Sequence, residues 1–148
     1  MNRNHLIDLI PVSCLGFLVD TTAAAMRLAL SGMLTEYAAA PVIIPHVGGA
    51  LPYLMPRLDG TLFLHPRDIG EPSAILKTLY MDTVVHRVDP LRWCYETMGA
   101  DHLLCGTDHP YGQWARRSID ALDELQIPAE EKEKINHGNA ERLFPAVA

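Results

Sequence analysis

Apolar residues along the chain show two alternating patterns, helical spacing and short continuous runs. Apolar side chains recur at positions 25, 26, 29, 30 and 33, which predicts a helix from Asp20 or Thr21 to about Leu34. Short β-branched and apolar runs predict buried parallel strands over residues 42–44, 79–85 and 102–105. Further helices are predicted over residues 52–58, 72–79, 118–125 and 129–136. The chain therefore alternates helix and strand.

Polar residues and glycine predict where the later helices begin and end. Asp89 precedes Pro90, which is typical of an N-cap followed by proline at the first helical position. Gly99 suits the carboxyl end of that helix. A last helical turn is predicted to begin at Asn139.

The alternation predicts an α/β fold with a parallel sheet, because strands separated by helices of about ten residues form βαβ units. In such sheets, ligands bind beyond the carboxyl ends of the strands. Here those ends carry His46, His86 and Asp108. Three consecutive strands that end in a histidine or a carboxylate indicate a site at one edge of the sheet.

Length and composition fit one globular domain over residues 1–148. Of the 148 residues, 49% are hydrophobic and 20% charged, which argues against disorder. The net charge of −6, with no cluster of Lys or Arg, argues against nucleic acid or an anionic membrane as a partner. No apolar run approaches the roughly 20 residues of a membrane span. Three cysteines without a C-x-x-C pair favour a reducing compartment, so we expect a cytoplasmic protein.

His46 and Asp108 are the strongest candidates for chemistry. His46 lies between a buried strand and two glycines, where an imidazole can serve as a base, an acid or a metal ligand. The alternative is a histidine packed at a strand end and bonded to backbone. The Asp108 carboxylate can bind a divalent metal, or it can accept a proton from metal-bound water. Its alternative role is to cap the turn before Pro110.

Other polar residues give weaker signals. Arg57, on or just after a helix, suits a bidentate pair with a substrate carboxylate, or else a solvated surface or a structural ion pair. His86 is the weakest of the strand-end candidates. His109 either lines a pocket or is a turn residue before Pro110.

Three segments together resemble the amidohydrolase-2 family, in that family's order and approximate spacing. Residues 46–52 (HVGGALP), with Arg57 and Asp59 downstream, resemble its sixth-strand motif. Residues 105–111 (CGTDHPY) resemble its eighth-strand motif, in which a tyrosine usually stands in place of His109. Residues 138–144 (GNAERLF) resemble its carboxyl-terminal signature. The closest likeness is to the aminocarboxymuconate-semialdehyde decarboxylase group, with the resorcylate and carboxyvanillate decarboxylases nearby.

The resemblance implies the C-terminal half of a metal-dependent (β/α)8 TIM barrel. Asp108 matches the family's metal-ligand aspartate, and His46 matches the histidine that activates metal-bound water or transfers a proton. Arg57 matches an arginine that binds the substrate carboxylate across a dimer interface. The expected cofactor is a divalent metal, and specifically zinc. The change from tyrosine to His109 alters the expected polarity of the pocket.

The chain departs from the family pattern in its metal ligands. The family takes further ligands from a His-x-His after the first strand and a histidine after the fifth, and this chain has no H-x-H. A complete barrel needs about 200 to 250 residues. Half a barrel leaves open sheet edges, so we expect a homo-oligomer or a partner that supplies the missing half. With one matched ligand, metal binding by the isolated chain is expected to be weak.

Three functions remain open from the sequence. The favoured one is decarboxylation of a carboxylated small molecule, in which metal and Arg57 hold the substrate while His46 and Asp108 transfer protons. The second is metal-dependent hydrolysis of a lactone or a C–N bond. The third is a non-catalytic truncated chain that needs a partner. Release of carbon dioxide separates the first two, and metal content with gel filtration tests the third.

Overall fold

The computed structural model describes residues 10–61 and 70–145, with the backbone alone for residues 112–114. The first half contains helices α1 (Gly16–Ser31), α2 (Met33–Glu36) and α3 (Leu51–Gly60), with strand β1 (Ile43–Ile44) between α2 and α3. The middle contains α4 (Pro72–Leu76), β2 (Tyr80–Asp82), α5 (Val88–Met98), β3 (Leu103–Leu104) and α6 (Gly112–Glu124). The last part contains α7 (Ala129–Glu133), a π-helical turn (Lys134–Gly138) and α8 (Asn139–Leu143).

The three strands form one parallel sheet in the order β1-β2-β3. Met81 of the central strand pairs with Ile44 on one side and Leu103 on the other. Met81 and Leu103 are fully buried, because helices cover the sheet and its strands are apolar. The predicted parallel α/β architecture is therefore confirmed. All three carboxyl ends meet at one edge, called here the carboxyl edge, and β1 is an outer strand.

The first helix differs from the prediction at both ends. It begins at Gly16 rather than near Asp20, and it ends at Ser31 rather than Leu34. Gly32 is the reason for the end, because it adopts φ of 84°, in the left-handed region, and its N–H donates to the Ala29 carbonyl. A separate short helix, α2, then begins at Met33.

The second and third strands are shorter than the predicted ranges 79–85 and 102–105. Strand β2 ends at Asp82, because the Val84 N–H donates to the Asp82 carboxylate instead of to a neighbouring strand. Strand β3 begins after a 3₁₀ turn that includes His102, and it ends before Cys105, whose N–H donates to the Ile135 carbonyl. At both strand ends the backbone N–H thus donates to a side chain or to another loop instead of to a neighbouring strand. The apolar runs alone do not reveal these acceptors.

Several helix boundaries also differ from the prediction. Helix α5 begins at Val88 with Arg87 at the N-cap position, so Asp89 is not the cap. Instead, Asp89 lies in the first turn, where its carboxylate is 2.9 Å from the Arg87 guanidinium. The helix predicted over residues 72–79 ends at Leu76, and the one predicted from residue 118 already begins at Gly112.

Asn139 has a different role from the predicted start of a separate helical turn. It continues the backbone of the π-helical turn directly into α8 and is buried. Its amide nitrogen donates to the Ala100 carbonyl at 2.7 Å and to the Leu103 carbonyl at 2.8 Å. The asparagine therefore joins the carboxyl-terminal helices to the start of β3.

A cavity of about 360 Å³ opens at the amino edge of the sheet, opposite the carboxyl edge. Its lining is mainly apolar and consists of Leu34, Ala38, Ala39, Ala40, Pro41, Val42, Thr78, Leu79, Tyr80, Arg142 and Leu143. Among residues 10–61 and 70–145, no helix is long and apolar enough to cross a membrane.

Candidate active site

His46 follows β1 in an unusual backbone conformation. His46 has φ of 56° and Val47 has φ of 49°, and both values lie in the left-handed region. Such a conformation costs on the order of 1 kcal/mol or more per non-glycine residue, and it is rarest for β-branched side chains. The His46 side chain is half-buried, and its Nδ1 atom is buried and has no hydrogen-bond partner in the described ranges 10–61 and 70–145. Strained backbone and an unsatisfied imidazole nitrogen are both typical of functional sites.

Two glycines complete the turn after His46, and one of them has no room for a side chain. Gly49 adopts φ of 63°, and a Cβ atom there would lie 2.6 Å from the Leu18 carbonyl oxygen and 2.7 Å from Thr22 Oγ1. The same Thr22 hydroxyl accepts the Ala50 N–H at 2.9 Å. Glycine is therefore required where the turn packs against α1.

Asp82, at the carboxyl end of β2, connects this turn to the central strand. Its Oδ1 atom accepts the Val47 N–H at 3.2 Å and the Val84 N–H at 3.0 Å. Burial raises the pKa of the Asp82 carboxyl above the usual 3.8. Hydrogen bonds from the two valine amides, the charge of His46 and its backbone N–H act in the opposite direction. Burial thus disfavours the ionised form of the carboxyl, and the hydrogen bonds and the His46 charge offset part of that penalty.

Asp108 lies four residues beyond the end of β3 and is exposed. Its φ is 57°, and its carbonyl accepts the Tyr111 N–H at 3.0 Å across a turn. That turn contains a cis peptide bond between His109 and Pro110, and the His109 side chain is exposed. A non-glycine residue in left-handed conformation at a strand end is a second unusual backbone at the carboxyl edge.

His86 provides the link between these groups. Partial desolvation is the largest cause that lowers the pKa of His86 below the usual 6.5, and the charges of Arg117 and His46 lower it further. The Asp108 carboxylate raises the pKa and so opposes them. His46 and Asp108 therefore both lie within electrostatic range of His86. The structure brings the three strand-end residues of the sequence prediction to one edge of the sheet.

Arg57 is the remaining site residue of the sequence prediction. It is exposed on α3, and its carbonyl accepts the Thr61 hydroxyl at 2.9 Å. In the part of the chain that the structure describes, no hydrogen bond or ion pair joins its guanidinium to His46 or Asp108. Its predicted contact with a substrate carboxylate stays a prediction.

The described residues do not complete a metal site. Within residues 10–61 and 70–145, no group of three or more His, Cys, Asp or Glu side chains is arranged to hold a metal ion. Protein metal sites normally use at least three such ligands. Asp108 and His46 are ligand types that suit a metal, but a bound metal here needs ligands beyond the described residues.

Two residues of this edge were not found from the sequence. Asp82 had a signal, since it is an acidic residue within the apolar run at residues 79–85. Arg117 had none, because an exposed arginine on a helix looks like ordinary solvated surface. The charge of Arg117 acts on His86, which the spacing of these residues does not indicate.

Three parallel strands covered by helices, with the polar groups gathered beyond their carboxyl ends, define part of a (β/α) barrel with a site at its usual edge. The family model described as Amidohydrolase matches residues 8–146. The chain therefore belongs to the amidohydrolase family, and the predicted family and partial TIM-barrel fold are confirmed.

The relatives give this family membership more detail. The chain is 34% identical over 134 residues to a 6-methylsalicylic acid decarboxylase from Penicillium expansum, covering 85% of this chain and 41% of that protein. It is 30% identical over 132 residues to a gamma-resorcylate decarboxylase from Polaromonas sp. strain JS666, covering 84% and 40%. The chain spans about 40% of the length of these curated relatives.

A solved structure supports the same fold. The crystal structure of a dihydroxybenzoic acid decarboxylase from Polaromonas sp. JS666, with bound manganese and the inhibitor 2-nitroresorcinol, matches with a TM-score of 0.78. Sequence identity is 27%, and the match covers 90% of this chain and 42% of that one.

Proposed function

We propose that this chain is part of an enzyme that decarboxylates a carboxylated small molecule without oxidation, and that its carboxyl edge carries the groups that transfer protons. The proposed substrate class is aromatic acids. The observation that carries the proposal is the position of His46, His86 and Asp108 at the carboxyl edge, with His46 Nδ1 buried and without a hydrogen-bond partner among residues 10–61 and 70–145. The two curated relatives reported above are both decarboxylases of aromatic acids, which supports this reaction.

The chemistry asks for two steps from these residues. The bond between the ring carbon and the carboxylate breaks, carbon dioxide leaves, and the electron pair stays on the carbon. A proton then replaces the carboxyl group, and the imidazole of His46 is the group proposed to deliver it. That transfer leaves the imidazole without its proton, and Asp108 is proposed to relay a replacement proton from solvent to His46 and to serve as a metal ligand. Arg57 is proposed to pair with the substrate carboxylate.

A divalent metal belongs to the proposal, with zinc as the expected ion. The crystal structure of the related dihydroxybenzoic acid decarboxylase contains manganese, which makes manganese the rival. Because the described residues hold no complete ligand set, the metal requires further ligands, and the proton transfer above is assigned to His46 and Asp108 alone. Metal analysis of the active assembly distinguishes zinc from manganese.

The active unit is proposed to be a homo-oligomer or an assembly with a partner that supplies further barrel strands. The outer position of β1 and the 40–41% coverage of the two relatives support this. We also propose a cytoplasmic location, since Cys14, Cys94 and Cys105 are free thiols. Gel filtration with mass determination tests the assembly.

The experiment measures carbon dioxide release from hydroxylated benzoic acids by the active assembly. His46→Gln and Asp108→Asn are each expected to lower kcat by about 10²- to 10⁴-fold, because each removes a proton-transfer group. His137→Gln is the matched control, since His137 is exposed and pairs with Glu141 on the surface. Full activity after replacement of both His46 and Asp108 would show that this mechanism is wrong.

Hydrolysis is the second candidate, because the matching family model is described as Amidohydrolase. The same assembly would then consume a lactone or an amide without releasing carbon dioxide. Product analysis separates the two reactions. An assembly that turns over neither kind of substrate and binds no metal would instead favour a non-catalytic chain.

A further inference from the structure

The Asp82 carboxylate lies where the loops after all three strands meet. Its Oδ1 atom accepts the Val47 N–H from the loop after β1 and the Val84 N–H from the loop after β2. Gly106, in the loop after β3, packs so closely that a Cβ atom there would lie 3.0 Å from the Asp82 Cβ. One side chain therefore contacts all three loops of the carboxyl edge.

The turn at His46 needs support from outside itself. His46 and Val47 both have positive φ, which neither residue favours in isolation. The Val47 N–H donates to Asp82 Oδ1, 35 residues away at the end of β2, at 3.2 Å. The same Oδ1 atom accepts the Val84 N–H at 3.0 Å, so one oxygen joins the turn to the loop after β2.

Asp82 is an acidic residue at a largely buried position. Burial is the largest influence on its pKa, and it disfavours the ionised form. A residue chosen only for packing in an apolar strand would carry no charge. Its side-chain hydrogen bonds to Val47 and Val84 lead to loops of the carboxyl edge, which indicates a role connected to the candidate site.

We propose that Asp82 is a positioning residue for His46. Its Oδ1 atom holds the Val47 amide, and this bond fixes the left-handed turn that orients the His46 imidazole. The importance of His46 rests on the proposed function, whereas the positioning itself does not depend on any substrate.

The test compares Asp82→Ala with Asp82→Asn in the full 148-residue chain, by NMR and amide hydrogen exchange. In Asp82→Ala, exchange of the Val47 amide is expected to accelerate by about 10-fold or more, since its acceptor is lost. The His46 ring-nitrogen signals, assigned with His46→Gln, are expected to move from their wild-type positions. Asp82→Asn keeps an acceptor oxygen and is expected to restore most of both signals.

Asp59→Ala is the matched control. The Asp59 Oδ1 atom also accepts one backbone N–H, from Ser73 at 2.9 Å, but in a different part of the molecule. Its replacement is expected to accelerate exchange at Ser73 and to leave the Val47 amide and the His46 ring signals unchanged. Loss of a backbone acceptor is therefore expected to accelerate amide exchange locally in both alanine variants. Only Asp82→Ala is expected to move the His46 ring signals.

Three results would overturn the proposal. The first is a folded Asp82→Ala chain with wild-type Val47 exchange and His46 signals, and the second is an Asp82→Asn chain disturbed as much as the alanine variant. If Asp82→Ala does not fold, Asp82→Asn decides, because loss of Val47 protection there is the third. None of these measurements uses a substrate, so absence of carbon dioxide release would contradict the proposed function and leave this inference standing.

Discussion

The two edges of the sheet differ in how completely their polar groups are satisfied. At the amino edge, the buried Asn139 amide donates two hydrogen bonds, and His102 Nδ1 lies 3.1 Å from the Leu79 carbonyl oxygen. At the carboxyl edge, His46 Nδ1 is buried without a hydrogen-bond partner among the residues that the structure describes, and burial raises the pKa of the Asp82 carboxyl. Backbones with positive φ at non-glycine residues also fall at the carboxyl edge, at positions 46, 47 and 108.

This difference agrees with the proposal that the two edges have different tasks. Satisfied buried groups stabilise a fold, whereas strain and unmet polar groups persist where function requires them. In parallel α/β barrels the carboxyl edge carries the chemistry and the opposite edge carries stability. The 360 Å³ cavity at the amino edge is mainly apolar, and it is not where the titratable groups gather.

The largest expected loss of stability comes from adding a side chain at Gly49, in the turn after His46. Gly49→Ala is expected to cost about 3 kcal/mol or more of unfolding free energy, because the new methyl group would overlap the Leu18 carbonyl at positive φ. Gly32→Ala is the control, since Gly32 has φ of 84° but nothing within 4 Å, and about 1 kcal/mol is expected. Equal losses in urea unfolding would mean that the turn tolerates a side chain.

The amino edge is tested by removing its asparagine. Asn139→Ala is expected to cost about 2 kcal/mol, because the Ala100 and Leu103 carbonyls lose a buried donor. Asn136→Ala, at an exposed position of the π-helical turn that precedes α8, is expected to change stability by about 0.5 kcal/mol or less. If both variants unfold at the same urea concentration, the amino edge does not have the stabilising role assigned to it.

The carboxyl edge is expected to respond to pH in the opposite sense from an ordinary ion pair. Because the pKa of Asp82 is raised above 3.8 in the folded state, its contribution to stability is full below pH 3.8 and is lost as pH rises through the raised value. Asp82→Asn removes that loss. Urea unfolding at pH 4 and pH 7 should show the variant gaining on the wild type as pH rises, and a constant difference would contradict this.

The sequence predicts the order of the strands and helices better than it predicts where each element ends. The parallel order and helical cover were predictable, because apolar runs and their alternation with helices are local in sequence. The ends of the elements were less predictable, since β2 stops where Val84 binds a side chain and β3 stops where Cys105 binds Ile135. Those partners come from the tertiary structure.

The candidate site follows the same division. His46 and Asp108 were predictable because topology alone places strand-end residues at one edge. Asp82 was not, since its contact with Val47 joins residues 35 apart. The contact of Arg57 with a substrate carboxylate stays a prediction, because a motif matches a residue type without giving the position of its guanidinium.

The smallest expected effect is on the titration of His86. The Asp108 carboxylate raises its pKa and the Arg117 charge lowers it, so Asp108→Asn should lower the pKa of His86 further, whereas Arg117→Gln should raise it. The changes are expected to be small because His86 is exposed and solvent screens the charges. NMR titration in the presence of a chelator measures the pKa of His86 in both variants. Shifts of the same sign would contradict the placement of Asp108 and Arg117 near His86.

The outer flank of β1 limits which strands can be added to this sheet. Tyr80 donates its N–H to the Val42 carbonyl, so in a parallel ladder residues 42 and 44 face β2 while residues 41, 43 and 45 face outward. Two of those three outward residues are prolines, so Ile43 offers the single N–H donor on that flank. A lone donor between two prolines resists indiscriminate strand-to-strand aggregation, and it fixes the alignment of any strand that does join.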